Sequence, residues 1–194
     1  MRTAGCVIND FADRKIDKHI LRTQGRPLAT GEISSNSALV LFGLLLLIAL
    51  GLVLQTNLLT IKLSLIALLL ATLYPFTKRW TNLPQLVLGA AFGMSVPMAF
   101  SAQTGVIPLT AWLVFIATLV WTLIYDTFYA MADRDEDLKI GVKSTAILFA
   151  KYDQIIITLL QILLIIVFVL IGNTFDLGLI YDFSLVIIAF FMIY

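Results

Sequence analysis

Five carboxylates fall within twelve residues of the segment YDTFYAMADRDEDLKIGVKST, from Tyr125 to Thr145: Asp126, Asp133, Asp135, Glu136 and Asp137. On a helix advancing about 100° per residue, Asp133 and Asp137 point within about 20° of Asp126, one to either side, while Asp135 and Glu136 point elsewhere. Three like charges on one face repel, and more strongly where water is scarce, so the stripe asks for a counter-cation. A second acidic stripe lies in NDFADRKID, where Asp10, Asp13 and Asp17 spread over about 60° of helix surface, with Asn9 at its edge. Arg22 and Arg26 follow, and then Pro27 and Gly31, which stop a helix and make a loop. Taken alone, this stretch reads equally as a solvated, charge-mixed loop. A third feature is YPFTKRW, in which Tyr74 and Lys78 are i,i+4 neighbours. Alone, it reads as an interfacial aromatic belt with a snorkelling lysine. Lys139 and Lys143 stand close to the second acidic cluster.

Two carboxylate clusters facing each other, with Lys and Arg around them, form a recognisable device. Hard oxygen ligands hold Mg²⁺, the metal bridges phosphate oxygens, and the cationic side chains neutralise what remains. A lipid-embedded site for a diphosphate suggests a lipid diphosphate substrate, whose allylic chain departs as a stabilised cation. The chemistry is then electrostatic, with an apolar surround that keeps water away.

The chain around these residues must lie in a membrane. It has 194 residues, 60% of them hydrophobic and only 13% charged, with a mean hydropathy of +0.99. Such a composition cannot cover a soluble surface with polar groups. The apolar runs are continuous rather than alternating, which favours helices over a β-barrel. Ser37–Leu54, Leu58–Phe76, Leu83–Ala102, Leu109–Tyr125 and Ala146–Ile171 are each long enough to span, and a sixth run goes from near Leu177 to Tyr194. The expected fold is an all-α, polytopic transmembrane helix bundle. Of 13 Lys and Arg residues, eleven lie in Arg14–Arg26, Lys78–Arg79 and Arg134–Lys151, leaving Arg2 and Lys62. One crossing per helix brings those three segments to the same side, and the opposite connections, Gln55–Asn57, Gln103–Pro108 and Gly172–Asp176, carry no Lys or Arg. By the positive-inside rule the charged side, and with it both acidic stripes, faces the cytoplasm. Gly89, Gly93 and Pro97 in the third span allow close packing and a bend. The lone Cys6 excludes an internal disulfide. Met1 to Ile8 reads as the tail of a helix, and the last run stops inside apolar sequence, so a single domain over 1–194, incomplete at both ends, is expected.

Asn9-Asp10-x-x-Asp13-x-x-x-Asp17 resembles the NDxxDxxxD signature of the UbiA superfamily of membrane aromatic prenyltransferases. Asp133-x-x-x-Asp137 is similar to its second motif, DxxxD, and Tyr74-x-x-x-Lys78 to its YxxxK motif. The wording of GCVINDFADRKID, RPLATG, YPFTKR, LPQLVLGAAFG and YDTFYAMADRDEDLKIGVKSTAILF further resembles the branch that acts on 4-hydroxybenzoate in ubiquinone biosynthesis. The resemblance spans nearly the whole chain. It implies a helical bundle with a central cavity in a bacterial inner membrane, opening to the cytoplasmic side. It implies Mg²⁺ as cofactor, polyprenyl diphosphate and 4-hydroxybenzoate as substrates, and no nucleic-acid partner. Carried over by motif, Asp10, Asp13, Asp17, Asp133 and Asp137 would bind Mg²⁺ with the diphosphate, Asn9 beside them. Lys78 and Tyr74 would contact the diphosphate or steady the cation. Arg22 and Arg26 would hold phosphate or the aromatic carboxylate, and Lys143 would lie near the substrate. Asp126 either joins the catalytic face or orients the aromatic acceptor.

Two other readings stay open at this point. Another member of the superfamily, with an acceptor from the menaquinone or haem O pathway, would share the motifs. A cation channel or transporter would use the carboxylates as a selectivity ring, but it predicts ionisable residues near mid-membrane, where the spans are nearly free of them.

Overall fold

The computed structural model describes residues 1–192, and in these the chain is helical throughout, without strands. Helix α1 (Arg2–Asp13) leads into a 3₁₀ turn (Asp17–His19) and the short α2 (Pro27–Thr30), which opens on Pro27. Two long apolar helices follow. In α3 (Ser35–Val53) the Ser34 side chain caps the first turn by accepting from the Ser37 N–H, and in α4 (Leu58–Thr77) Asn57 does the same for Thr60.

The third span is two helices rather than one. It consists of α5 (Pro84–Gly93) and α6 (Ser95–Thr104), which meet at Met94 just ahead of Pro97, as the missing proline N–H dictates. The fourth, α7 (Leu109–Ala132), runs well past Tyr125 to deliver the second acidic segment. It ends on Asp133, and α8 (Arg134–Ile140) restarts from that residue. Gly141, at φ 72°, then turns the chain in a conformation that glycine adopts readily, and Ser144 caps α9 (Thr145–Phe149). A 3₁₀ turn at Ala150–Tyr152 separates α9 from α10 (Asp153–Phe175), and α11 (Gly178–Met192) packs back on it. The sixth apolar run extends to Tyr194, which lies outside the described residues.

Five helical segments are long and apolar enough to cross a membrane, and the chain is an integral membrane protein. Helices α4, α5 and α7 pack in sequence, with α10 on the far side of α7 and α1 against α3 and α4. The α5–α7 approach brings backbone against backbone, since a Cβ on Gly89 would stand 2.7 Å from the Leu119 carbonyl oxygen. Small residues substitute here for the water-driven packing that a membrane interior lacks. A core of Ala117, Val120, Ile124, Ile157, Leu164, Val167 and Ile171 locks α7 to α10. This fixes the helix that carries the second acidic cluster.

Candidate active site

The two acidic stripes, four spans apart in sequence, come together at one end of the bundle. Asn9, Asp10 and Asp13 are on the last turns of α1. The helix stops at Asp13, whose carbonyl accepts from the Ile16 N–H at 2.7 Å, so Asp17 is carried by the 3₁₀ turn that follows. Arg26 spans this stripe, its Nη1 donating to Asp10 Oδ1 at 2.9 Å and to Asp17 Oδ2 at 3.1 Å. Arg22 crosses to the other stripe. Its Nε donates to Asp133 Oδ1 at 3.1 Å and its Nη2 to Asp133 Oδ2, a two-pronged pairing that only a guanidinium provides. The same guanidinium lies 5.2 Å from the centre of the Tyr129 ring.

Lys78 does not snorkel. Its ammonium turns inward and donates to Asp13 Oδ2 at 2.6 Å, with the Tyr74 ring centre 5.9 Å away. Arg79, next in sequence, donates instead to the Ala12 carbonyl at 3.1 Å and pins the end of α4 to α1. Asp137 follows Asp133 by one turn of α8, its N–H bonded to the Asp133 carbonyl at 2.9 Å. Asp126 stands near the end of α7, and the break at Asp133 does not part these three carboxylates, all of which line one space.

That space is a cavity of about 1400 Å³. All twelve residues singled out by sequence border it: Asn9, Asp10, Asp13, Asp17, Arg22 and Arg26 from the first segment, Tyr74 and Lys78 from α4, and Asp126, Asp133, Asp137 and Lys143 from the last. Asp135 is exposed and outside the lining, and Glu136 accepts from the Leu21 N–H at 3.1 Å, bracing the two segments from outside. Away from the charged end the lining, from α3, α4, α5 and α6, is mostly apolar, with Thr56, Thr60, Ser64 and Ser95 among it.

Six carboxylates against four cations leave the charged end with a negative surplus. Asp126 and Asp137 have no ion-pair partner among the described residues. Asn9 Oδ1 and Asp13 Oδ1 are buried acceptors with no hydrogen-bond donor. Burial pushes the Asp137 carboxyl up to about 6. It also raises Asp17, against the opposing pull of Arg26. For Lys78, burial works against the charge, but Tyr74 and Asp13 outweigh it and the ammonium is held more firmly than usual. The hydrogen bond to Asp133 does the same for Arg22.

Unpartnered hard oxygens beside surplus negative charge are what a hard divalent cation takes, so the donor set fits Mg²⁺. Among the described residues, though, no three acidic, His or Cys side chains already converge on one point. Arg22, Arg26 and Lys78 occupy the carboxylates that would do so, and a metal with an anion would have to exchange with those ion pairs.

Sequence reasoning passed over a polar knot beneath this end. Gln85, at the start of α5 and 3% exposed, accepts the Thr145 N–H at 3.0 Å, and Thr145 Oγ1 meets Thr127 Oγ1 at 2.7 Å. The Lys143 N–H donates to the Lys78 carbonyl at 3.0 Å, and Lys143 Nζ reaches the Trp80 carbonyl at 3.1 Å. The signal available was a glutamine immediately after the helix-opening Pro84, a polar side chain with no place in lipid.

The model of the UbiA prenyltransferase family matches residues 1–194. A protein of Vesicomyosocius okutanii named 4-hydroxybenzoate octaprenyltransferase is 60% identical over 194 residues, covering 100% of this chain and 71% of the relative. Among solved structures, the apo UbiA homolog from Aeropyrum pernix K1 is 28% identical with a TM-score of 0.86, covering 99% of this chain and 73% of that one. A UbiA homolog from Archaeoglobus fulgidus bound to GPP and Mg²⁺, 20% identical, shares the fold with a TM-score of 0.71 over 98% of this chain and 68% of that one.

Proposed function

We propose, from the premise that this chain belongs to the UbiA prenyltransferase family, that it moves a polyprenyl group from polyprenyl diphosphate to 4-hydroxybenzoate, at the ring carbon ortho to the hydroxyl, in ubiquinone biosynthesis. The observation that supports this most is the lining of the cavity. The residues of three separate motifs border its charged end, and most of the remainder is apolar. The name of the 60%-identical Vesicomyosocius relative favours 4-hydroxybenzoate as acceptor over those of the menaquinone and haem O branches. The channel reading loses its footing, because the charges gather at one end and are held in ion pairs.

In this reading the donor diphosphate lies against Arg22, Arg26 and Lys78. Mg²⁺ would be held by Asp10, Asp13 and Asp17 from one side and Asp133 and Asp137 from the other, with Asn9 Oδ1 free to join, and when bound it supplies further positive charge beside the leaving group. Transfer breaks the bond between the allylic carbon and the diphosphate oxygen, and the electron pair leaves with the diphosphate. The ring carbon supplies the pair for the new carbon–carbon bond, and its proton is then lost. The Tyr74 ring is placed to face the developing allylic cation. Asp126 orients the acceptor, and Lys143, tethered to Trp80, closes the edge of the site. The apolar wall holds the tail and denies water to the cation. The single domain over 1–194 would lie in the bacterial inner membrane with this end towards the cytoplasm, as the Lys and Arg bias favours.

The test uses membranes carrying the chain, labelled 4-hydroxybenzoate and octaprenyl diphosphate, with Mg²⁺ or with chelator. Label entering lipid only with Mg²⁺ is the expected result. Mg²⁺-dependent transfer to homogentisate or a naphthoate, with none to 4-hydroxybenzoate, would overturn the acceptor.

A further inference from the structure

A short strap, Val142 to Thr145, crosses the charged end of the bundle between α8 and α9. Its backbone N–H groups reach three separate elements. That of Val142 donates to the Asp137 carbonyl in α8 at 3.0 Å, that of Lys143 to the Lys78 carbonyl at the exit of α4 at 3.0 Å, and that of Thr145 to Gln85 Oε1 at the start of α5 at 3.0 Å. Thr145 also holds α7. Thr127 Oγ1 donates to the Leu123 carbonyl at 2.6 Å, so in its 2.7 Å contact with Thr145 Oγ1 it is the acceptor. Thr127 and Thr145 are fully buried, and Thr127 follows Asp126 directly in the chain.

The strap leaves the Gln85 amide one orientation. A glutamine side chain carries an accepting oxygen and a donating NH₂ group, and the donors around it decide which end points where. Only the oxygen can meet the Thr145 N–H, so the NH₂ group points the other way. Gln85 is 3% exposed and borders the cavity, and the group to which it donates there is the Asp126 carboxylate. Asp126 has no ion-pair partner among the described residues, so the amide is what holds its direction. A carboxylate can take only one end of a hydroxylated aromatic acid. It repels the ligand's own carboxylate and accepts from its hydroxyl.

We propose that Gln85 is a positioning residue whose amide, locked by the Thr145 N–H, aims Asp126 at the hydroxyl of the aromatic acceptor. The proposal deepens the acceptor reading above and rests on it, and the test keeps the two apart. Gln85→Glu keeps an oxygen for the Thr145 N–H but turns the donor that faces Asp126 into a second acceptor. Asp126→Asn still accepts from Gln85, and the double variant rebuilds the pair with its polarity reversed, the amide at position 126 donating to the carboxylate at position 85. Binding of labelled 4-hydroxybenzoate and of benzoate is measured on the detergent-solubilised chain loaded with Mg²⁺ and a non-transferable geranyl thiolodiphosphate, alongside the melting temperatures of all four proteins.

Wild type should prefer 4-hydroxybenzoate, because a site built to hold a hydroxyl rejects the ligand that lacks it. Gln85→Glu should cut that preference by about tenfold or more, as the loss of a hydrogen bond to a charged group does. The melting temperature that Gln85→Glu loses should return in the double variant. An unchanged preference in Gln85→Glu, or an equal loss for both ligands, overturns the positioning role. Losses in melting temperature that simply add, with no recovery in the double variant, overturn the contact itself. If Gln85→Glu does not fold alone, the double variant decides: recovery of folded protein supports the contact, and failure of both overturns it. Recovery in the double variant, with no preference for 4-hydroxybenzoate in wild type, overturns the acceptor reading and with it the hydroxyl as the target of Asp126, and leaves Gln85 as the residue that aims that carboxylate.

Discussion

Lys78 Nζ lies 2.6 Å from Asp13 Oδ2, and that contact joins the first acidic stripe to the exit of α4. Asp13 is 2% exposed, its second oxygen has no donor, and the lysine is its sole ion-pair partner among the described residues. The pair costs desolvation and returns it only while both members are present. Lys78→Met should therefore lower stability in detergent by about 3 kcal/mol by stranding a buried carboxylate, and Asp13→Asn should lower it less. The double variant should recover part of the loss, and a double-mutant cycle from thermal unfolding reads that coupling directly. Additive losses would mean that the pair carries no coupling. Transfer activity should fall in both single variants and should not return in the double, because stability and phosphate binding then part company.

Metal removal gives a second expectation. Asn9 Oδ1 and Asp13 Oδ1 are acceptors awaiting a donor or a cation, and Asp126 and Asp137 add unpaired charge. Mg²⁺ titrated into chelator-treated protein should raise its melting temperature, as any ligand specific to the folded state does. Asp137→Asn and Asp13→Asn should each weaken that response by about tenfold or more in apparent Mg²⁺ affinity. Asp135→Asn, outside the cavity, should leave it unchanged.

Much of this site was legible because its signals were local. The spacing of Asp10, Asp13 and Asp17, of Asp133 and Asp137, and of Tyr74 and Lys78 survives any packing of the helices, and the Lys and Arg bias returns all three to one side. What escaped was set by tertiary partners. Periodicity could not say that Lys78 would choose Asp13 over the lipid headgroups, because that depends on α1 reaching the end of α4. Gln85 escaped because its partner, the Thr145 N–H, is supplied by a cap sixty residues further on. The α5–α6 break at Met94 was hinted at by Pro97, but its exact place was not, since the helix on the N-terminal side continues until the ring meets it.

The α5–α7 approach supplies a structural prediction independent of the chemistry. A methyl on Gly89 would stand 2.7 Å from the Leu119 carbonyl oxygen and 3.2 Å from its Cα, which are backbone atoms that cannot swing away. Gly89→Ala should force the helices apart and cost about 1–3 kcal/mol, with the acidic end of α7 displaced and activity reduced. Gly51→Ala in α3 meets nothing within 4 Å and should be neutral, or stabilising by about 0.5–1 kcal/mol, since alanine loses less entropy in a helix. Melting temperatures of the two variants in one detergent decide this, and equal shifts would refute the tight contact.

Acid should act on the metal-free protein through Asp137, whose carboxyl is pushed by burial from an ordinary 3.8 up to about 6. The folded chain therefore holds this proton more tightly than the unfolded one. The group's stabilising contribution is complete below about 3.8, declines as pH rises, and is gone once pH passes about 6. Asp153, whose hydrogen bond to Arg134 holds its carboxyl below the usual range, responds to acid in the opposite sense, so the Asp137 contribution is isolated by difference. Melting temperature of wild type minus that of Asp137→Asn, without metal, should rise as pH falls from about 7 towards 4. With Mg²⁺ the order inverts, because the metal needs the carboxylate unprotonated and its stabilisation should fade below about pH 6. A wild-type-minus-variant difference that is flat across this range would place the Asp137 carboxylate in ordinary solvent and remove it from the buried set.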